Sequence, residues 1–114
     1  MFSGEKEYKW IQIASSFDEL IFGENNLAEI EIEGKKICIA KTAAGLKACT
    51  SKCPHAGGNM SHGRLDKRGN IVCCVHNYSF NLTHGRDIFG EGYFLKVYPV
   101  RETEKGIFVG MPNL

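Results

Sequence analysis

The chain has few of the features that mark nucleic-acid-binding, secreted or membrane proteins. No run of Lys and Arg exceeds two residues and the formal net charge is +1, so the sequence offers no basic stripe for nucleic acid. No stretch approaches the roughly 20 apolar residues of a membrane span. The N-terminal MFSGEKE lacks both an apolar segment and a small-residue cleavage site, and it predicts no secretory signal. We therefore expect a cytoplasmic protein that has neither nucleic acid nor membrane as a partner.

The five cysteines do not form the even set that is typical of a disulfide scaffold. In a reducing compartment, cysteines are more often free thiols or metal ligands. Cys38 and Cys49 fall in segments with a strand pattern, and we expect both to pack in the core as small apolar residues. The other three, Cys53, Cys73 and Cys74, lie in a segment of different composition.

The sequence also lacks a sustained apolar repeat at helical spacing, whereas apolar and polar residues alternate in many short segments. Only residues 15–20 predict a helical turn, with Ser15 or Ser16 as its N-cap. Gly34 separates two alternating segments and marks a hairpin, and polar residues 101–105 separate the last two predicted strands. These patterns predict an all-β protein, a small β-barrel or sandwich, with strands at 8–13, 27–33, 35–40, 45–49, 93–100 and 106–111.

Residues 51–92 differ from the rest of the chain. They hold all four histidines and more than half of the glycines, but few large apolar side chains. A loop-rich segment of this kind needs another source of order, and a bound metal is one. The 114 residues fit a single domain. We expect one domain over 1–114, in which a subdomain at about 50–92 is inserted into a β base formed by 1–49 and 93–114.

Two short motifs in this subdomain carry the chemistry. CPH at 53–55 and CCVH at 73–76 are separated by 17 residues, and each offers a thiolate and an imidazole. Either zinc or a 2Fe–2S cluster could take these donors. A usual zinc finger takes two cysteines from one hairpin and two histidines from a helix. A cluster with both cysteines on one iron and both histidines on the other instead needs one of each per motif. Spacing leaves Cys74 open as a ligand, because residues 74–76 also read Cys-x-His.

These two motifs, together with GRL at 63–65, YSFN at 78–81 and Gly85, resemble the Rieske ferredoxins. The resemblance implies an all-β base that carries a rubredoxin-like cluster-binding subdomain, and it favours Cys73 over Cys74. The ligands that it implies are Cys53 and Cys73 for a buried iron, and His55 and His76 for an outer iron near the protein tip.

The resemblance also implies the function. A Rieske ferredoxin holds one 2Fe–2S cluster per chain and carries single electrons from a flavin-dependent reductase to a terminal oxygenase or similar oxidoreductase. The chain is too short to add a mononuclear iron domain with its two-His, one-carboxylate site, so we expect an electron-transfer protein rather than an enzyme. Three alternatives stay open: the small subunit of a nitrite-reductase-like complex, a zinc-stabilised interaction module, and a redox or iron–sulfur sensor.

The sequence departs from the family pattern in the cluster-binding loops. Asn77 stands where family members usually have Gly, although Asn tolerates the left-handed conformation. Residues 85–93 lack the proline that often covers the cluster. Gly58 and Val75 occupy the positions at which respiratory-chain members carry two further cysteines, so the disulfide of those members cannot form here.

Two further departures concern the reduction potential. High-potential members place a Ser and a Tyr after the second ligand histidine, and these donate hydrogen bonds to the cluster and to a ligand sulfur. Tyr78 and Phe80 occupy those positions here. Fewer hydrogen bonds to sulfur make reduction harder, so we predict a potential near the low end of the range of roughly −150 to +300 mV.

The remaining histidines and aromatic residues of this segment have two interpretations. His62 and His84 lack a partner at ligand spacing, so we expect loop residues rather than ligands. The aromatic residues near the end of the subdomain either pack inside it or form an exposed apolar rim that docks a redox partner; they are Phe89, Tyr93 and Phe94.

Overall fold

The computed structural model describes residues 7–55 and 57–112, so the N-terminal segment that bears on a secretory signal lies almost wholly outside it. Within this part of the chain there are ten strands and two short 3-10 helices, and no helix there is long and apolar enough to cross a membrane. The strands are β1 (Tyr8–Ala14), β2 (Leu27–Ile32), β3 (Lys35–Thr42), β4 (Gly45–Thr50), β5 (Arg64–Leu65), β6 (Ile71–Val72), β7 (Ser79–Phe80), β8 (Val97–Tyr98), β9 (Val100–Thr103) and β10 (Gly106–Pro112); the helices are Phe17–Glu19 and Met60–His62.

The strands form three antiparallel sheets. The first has the order β1-β10-β9, the second β2-β3-β4-β8 and the third β5-β6-β7. In the second sheet the β2–β3 hairpin closes through Glu33 and Gly34, both with positive φ. The prediction of an all-β protein with a hairpin at Gly34 is therefore confirmed.

The second sheet is buried on both faces. Residues 37–40 of β3 have no solvent exposure. Because successive side chains of a strand point to opposite faces, Ile37 and Ile39 enter one core, whereas Cys38 and Ala40 enter another. Cys49 of β4 is the cross-strand partner of Cys38 and is equally buried. The prediction that both cysteines are core residues is confirmed.

The first core lies between the first and second sheets. Burying an aliphatic side chain such as Ile39 or Val109 contributes about 1.5–3 kcal/mol relative to leaving it exposed. The buried members of this core come from residues 14–48 and 98–111. Its members are Ala14, Leu20, Ala28, Ile32, Ile37, Ile39, Leu46, Ala48, Tyr98, Ile107, Val109 and Met111.

The second core joins the other face of the second sheet to the third sheet. Phe80, Met60 and Ile71 are its largest fully buried side chains. The two cysteines of the predicted ligand motifs, Cys53 and Cys73, are part of the same core. The loop-rich segment therefore packs on the second sheet through shared apolar contacts.

The predicted helical turn at 15–20 is present as the 3-10 helix Phe17–Glu19. Ser16 occupies its N-cap position, but no side-chain hydrogen bond caps the helix, so the predicted serine cap is wrong. The carboxylate of Glu19 instead accepts a hydrogen bond of 2.7 Å from the backbone N–H of Ser15. This contact satisfies a donor that the turn leaves unpaired.

The predicted strand at 93–100 is wrong in its extent, because the chain changes sheets at Pro99. β8 pairs with β4 in the second sheet, whereas β9 pairs with β10 in the first. Pro99 has no N–H to donate to a ladder, and its carbonyl accepts a hydrogen bond of 2.9 Å from Gly110. Residues 101–103, predicted as a polar connection, belong to β9. This strand lies at the edge of its sheet, where polar side chains remain in water.

Candidate metal centre

The CPH motif lies in a tight loop between β4 and the helix Met60–His62. The backbone N–H of Cys53 donates to the carbonyl of Gly58, and the N–H of Gly57 donates to the carbonyl of Cys53, both at 2.8 Å. Gly57 has a φ of +72°, which only glycine adopts without steric cost. These bonds close the loop that presents Cys53 and His55; Ala56 lies outside the described residues.

The CCVH motif lies in a second loop, between β6 and β7. The N–H of Cys73 donates to the carbonyl of Tyr78 at 2.7 Å, so the loop closes at its base. His76 and Asn77 have φ values of +63° and +54°. Asn77 thus adopts the left-handed conformation, which asparagine tolerates, as expected from the sequence. His76 also adopts this conformation, although nothing in the sequence predicts it. Two adjacent left-handed residues store strain, which is typical of functional sites.

The two loops bring the thiols of Cys53 and Cys73 together inside the second core. Both residues are essentially inaccessible, at 1% and 0% exposure. Burial raises the pKa of Cys73 to about 11; the neighbouring Cys53 thiol also raises it, whereas a hydrogen bond from the Val75 N–H to Cys73 Sγ (3.4 Å) lowers it. Cys74, the other candidate in this motif, is exposed.

The two histidines of the motifs form a second pair toward the surface. The ring centroids of His55 and His76 are 5.8 Å apart. The Nδ1 atom of His55 is buried without a hydrogen-bond partner among the described residues. A buried ring nitrogen that is left unpaired is costly, and such an atom needs an explanation. His76, by contrast, is exposed.

The four donors therefore come as a thiol pair and an imidazole pair. Within residues 7–55 and 57–112, no group of three or more Cys, His, Asp or Glu side chains could hold a single metal ion. Two pairs of unlike donors match a cofactor with two metal ions, of which one takes sulfur and the other takes nitrogen.

Gly58 and Gly63 have almost no space for a side chain, because each packs against the second motif or the residue just before it. A Cβ on Gly58 would lie 3.1 Å from Cys73 Sγ and 2.8 Å from Val75 Cγ2. A Cβ on Gly63 would lie 1.9 Å from the carbonyl oxygen of Val72, just before the second motif. The absence of a side chain at these two positions lets the chain approach the second motif and the strand before it closely.

A third loop, residues 85–93, covers the site, and Asp87 organises it. The buried carboxylate accepts hydrogen bonds from the N–H groups of Phe89 (3.0 Å), Glu91 (3.0 Å) and Tyr93 (2.8 Å). These backbone donors, Glu91 first, lower the pKa of Asp87. Sequence reasoning missed this residue. The signal was present, because Asp followed by turn-forming glycines favours side-chain-to-backbone turns.

Aromatic rings from the second and third loops surround His55. The Tyr78 ring lies over it with a centroid distance of 3.9 Å, and Tyr93 contacts it edge-on at 5.1 Å. The Phe89 ring also packs on Tyr78, with a distance of 5.4 Å between the two ring centroids. The Tyr78 hydroxyl donates a hydrogen bond to the Glu91 carboxylate, which raises the pKa of Tyr78 well above its ordinary value.

The outer side of this loop is apolar and exposed. Ile88, Phe89, Tyr93 and Phe94 all remain accessible, with Phe89 and Phe94 each at 57%. We call these four residues the apolar rim. Of the two sequence interpretations, the exposed rim describes Phe94 best, whereas Phe89 and Tyr93 also pack on the rings beside His55.

The two other histidines lie outside this arrangement, as expected. His62 is exposed at the end of the helix Met60–His62, and His84 is exposed in the turn after β7. The Nδ1 atom of His84 accepts a hydrogen bond of 3.1 Å from the N–H of Arg86.

A comparison with known families agrees with this geometry. Residues 9–90 match the family described as the Rieske [2Fe-2S] domain. The chain belongs to this family. Its cofactor is therefore a 2Fe–2S cluster of the Rieske type, as the sequence resemblance implies.

Relatives and solved structures of Rieske proteins support the assignment. The ferredoxin component of a naphthalene 1,2-dioxygenase system from Pseudomonas putida is 28% identical over 94 residues, covering 82% of this chain and 86% of that protein. A structure titled as a complex of reduced oxygenase and oxidised ferredoxin in carbazole 1,9a-dioxygenase contains a chain with a TM-score of 0.73 and 21% identity, covering 92% of this chain and 96% of that one. A Mycobacterium tuberculosis protein assigned as an NADH-dependent nitrite reductase small subunit has a TM-score of 0.78 and 23% identity, covering 94% and 98%. The structural likenesses establish the Rieske fold.

The residues present fit a Rieske cluster. The buried thiol pair supplies two sulfur donors, and the unpaired His55 Nδ1 is an imidazole nitrogen ready to bind a metal. The positions of the additional disulfide in respiratory-chain Rieske proteins are Gly58 and Val75, and all five cysteines of this chain are free.

Proposed function

We propose that this protein is a one-electron carrier that holds one 2Fe–2S cluster on Cys53, His55, Cys73 and His76. The observation that carries the proposal is the separation of the donors into a buried thiol pair and an outer imidazole pair. Cys73 rather than Cys74 is the proposed ligand, because Cys73 lies beside Cys53 in the core while Cys74 is exposed. When bound, a cluster of this type accepts and releases one electron at a time.

The protein's own residues hold the cofactor rigid and place one edge of it near solvent. The bonds that close the loops at Gly58 and Tyr78 restrict both ligand motifs. The apolar second core keeps water away from the thiol side. His76 is exposed, so its imidazole is the group through which a partner reaches the centre. A free N–H on a ligating imidazole can also donate a hydrogen bond to that partner.

The partners that we propose are a flavin-dependent reductase as donor and a terminal oxygenase or similar oxidoreductase as acceptor. The Pseudomonas putida relative is a ferredoxin component of a dioxygenase system, and the carbazole dioxygenase structure contains an oxygenase with a ferredoxin. The apolar rim adjoins the histidine side of the site through Tyr93. An exposed apolar surface of this kind is typical of a docking site.

We also propose one domain over 1–114, with a cluster-binding subdomain at about 50–92 inserted into a β base formed by 1–49 and 93–114. The first core supports this division, because it draws on residues before 49 and after 97. A cytoplasmic location is part of the same proposal, and it is supported by five free cysteines of which four are buried.

A second candidate is the small subunit of a nitrite-reductase-like complex, which the similarity to the Mycobacterium tuberculosis protein favours. Affinity capture with the tagged holoprotein separates the two functions. Recovery of an oxygenase and a flavin-dependent reductase supports the carrier, whereas recovery of a large nitrite reductase subunit supports the alternative.

The cluster site is tested by two neighbouring substitutions. Purified protein is analysed for iron, acid-labile sulfide and visible absorption, and its reduced form by EPR. We expect iron and sulfide near two each per chain, loss of both in Cys73→Ser, and retention in Cys74→Ser. An average g-value below that of an all-cysteine cluster is expected because the ligation is asymmetric. Zinc in place of iron, or cluster loss in Cys74→Ser with retention in Cys73→Ser, would contradict the proposal.

A further inference from the structure

Apart from the metal that it is proposed to bind, His55 has only ring contacts to fix the orientation of its imidazole. Its Nδ1 makes no hydrogen bond with the described residues. The rings around it are those of Tyr78, Tyr93 and His76. Tyr78 makes the closest of these contacts, with a centroid distance of 3.9 Å and an interplanar angle of 31°. The orientation of His55 therefore depends first on where the Tyr78 ring lies.

Tyr78 is held at both ends. Its carbonyl accepts a hydrogen bond of 2.7 Å from the N–H of Cys73, which fixes its backbone to the second ligand loop. Its hydroxyl donates to the Glu91 carboxylate in the third loop. The ring is buried, so it has little freedom to move while both contacts persist.

Glu91 is fixed independently of its own side chain. Its backbone N–H donates to Asp87 Oδ1 at 3.0 Å, and Asp87 also binds the N–H groups of Phe89 and Tyr93. The third loop is thus organised by the Asp87 carboxylate. The Glu91 carboxylate is therefore available to accept the hydrogen bond from Tyr78. A substitution of the Glu91 side chain leaves the three backbone hydrogen bonds to Asp87 in place.

We infer that Glu91 is a positioning residue for the ligand His55 and acts on it through the hydroxyl and ring of Tyr78. This inference rests on the proposed function, because it assigns the orientation of a cluster ligand to a residue of the third loop. The hydrogen bond that the Glu91 carboxylate makes is with Tyr78 and not with one of the four proposed ligands. Its effect is to narrow the range of angles that the imidazole of His55 samples.

The test uses the EPR spectrum of the dithionite-reduced holoprotein, since a spread of ligand orientations broadens the lines. Three variants separate hydrogen bonding from charge. Glu91→Ala removes the acceptor and the charge, Glu91→Gln keeps an acceptor oxygen but removes the charge, and Tyr78→Phe keeps the ring and the charge but removes the donor. Glu104→Ala, which removes an exposed carboxylate between β9 and β10, is the matched control.

We expect broader lines and faster loss of the cluster to a chelator in Glu91→Ala and Tyr78→Phe, and near wild-type values in Glu91→Gln and Glu104→Ala. A simple charge effect predicts the opposite grouping, because Glu91→Gln would then behave like Glu91→Ala and Tyr78→Phe like the wild type. That grouping, or sharp lines in both Glu91→Ala and Tyr78→Phe, overturns the inference. If Glu91→Ala binds no cluster, the line widths of Tyr78→Phe and Glu91→Gln are compared instead. Broader lines in Tyr78→Phe than in Glu91→Gln support the inference, and equal or narrower lines overturn it.

Failure of the proposed function has a different signature. If the wild-type protein contains no Rieske EPR signal, the cluster site itself is wrong. If the wild type has the signal and the variants leave its width unchanged, the site stands and only the role of Glu91 is lost.

Discussion

Replacing Gly58 by Ala should weaken cluster binding as well as the fold. The added Cβ would lie 3.1 Å from Cys73 Sγ and 2.8 Å from Val75 Cγ2, closer than ordinary packing allows. Overpacking of this kind costs about 1–3 kcal/mol. Gly58 does not have a positive φ, so Ala also lowers the entropy of the unfolded chain and stabilises by about 0.4–1 kcal/mol. The net loss is about 1 kcal/mol, which corresponds to a fall in melting temperature of about 4 °C.

Gly69→Ala provides a control of similar size away from the ligands. Gly69 lies in the turn between β5 and β6, has a φ of +83°, and has open space where a Cβ would be. A left-handed Ala costs about 1–2 kcal/mol, with no steric effect on any neighbour. The two variants should therefore melt at similar temperatures, as followed by circular dichroism of the β structure.

The assay that separates the two variants is loss of the cluster's visible absorption in the presence of an iron chelator. Because the strain in Gly58→Ala falls on Cys73, a loss of about 1 kcal/mol at this point corresponds to roughly a fivefold faster decay. Gly69→Ala should decay at the wild-type rate. Equal decay rates in the two variants would mean that Cys73 is not held where the structure places it, or is not a ligand.

Three further predictions concern the potential, the apolar rim and the third loop. The midpoint potential should lie nearer the lower limit of the Rieske range of roughly −150 to +300 mV, since Phe80 offers no hydroxyl to a ligand sulfur; protein-film voltammetry that gives a value above about +100 mV would refute this. Phe94→Ser should slow electron delivery to an oxygenase without changing the EPR spectrum, whereas Phe17→Ser, an exposed aromatic in the helix Phe17–Glu19, should change neither. The pKa of Asp87 is lower in the folded protein than in the unfolded chain, so its contribution to stability is present above about pH 4, the ordinary Asp value, and is lost as the pH falls through the lower folded value. The hydrogen-exchange protection factors of residues 88–93, which compare observed with intrinsic rates at each pH, should fall in that acid range, and unchanged protection would argue against an anchoring role.

The sequence was most informative where a pattern has a single physical meaning. Alternating apolar residues predicted β2, β3 and β4 to within two residues at each end, because successive side chains of a strand must point to opposite faces of the sheet. The CPH and CCVH motifs each carry one cysteine and one histidine, and the structure brings the Cys53 and Cys73 thiols together in the core and the His55 and His76 rings together nearer the surface. In both cases the required information is local.

The features that the sequence did not predict depend on contacts between distant segments. The division of the last strands at Pro99 follows from which sheet each half pairs with, and a continuous alternating pattern conceals it. The role of Asp87 in the third loop depends on three N–H groups that converge only after the loop has closed. The stacking of Tyr78 on His55 joins two residues that are 23 positions apart in the sequence.

Because β3 is buried on both faces, it connects the core around the cofactor site to the core that contains β1 and β10. Cys38 and Ala40 pack in the same core as Cys53 and Cys73 of the two motif loops, while Ile37 and Ile39 on the same strand pack toward the first sheet. A displacement of the loops that carry the proposed ligands would therefore disturb the packing of the first core, because both cores share β3. Binding of the cluster should therefore stabilise the whole chain. Newly made protein that has not acquired iron should be less stable, and proteases should degrade it first.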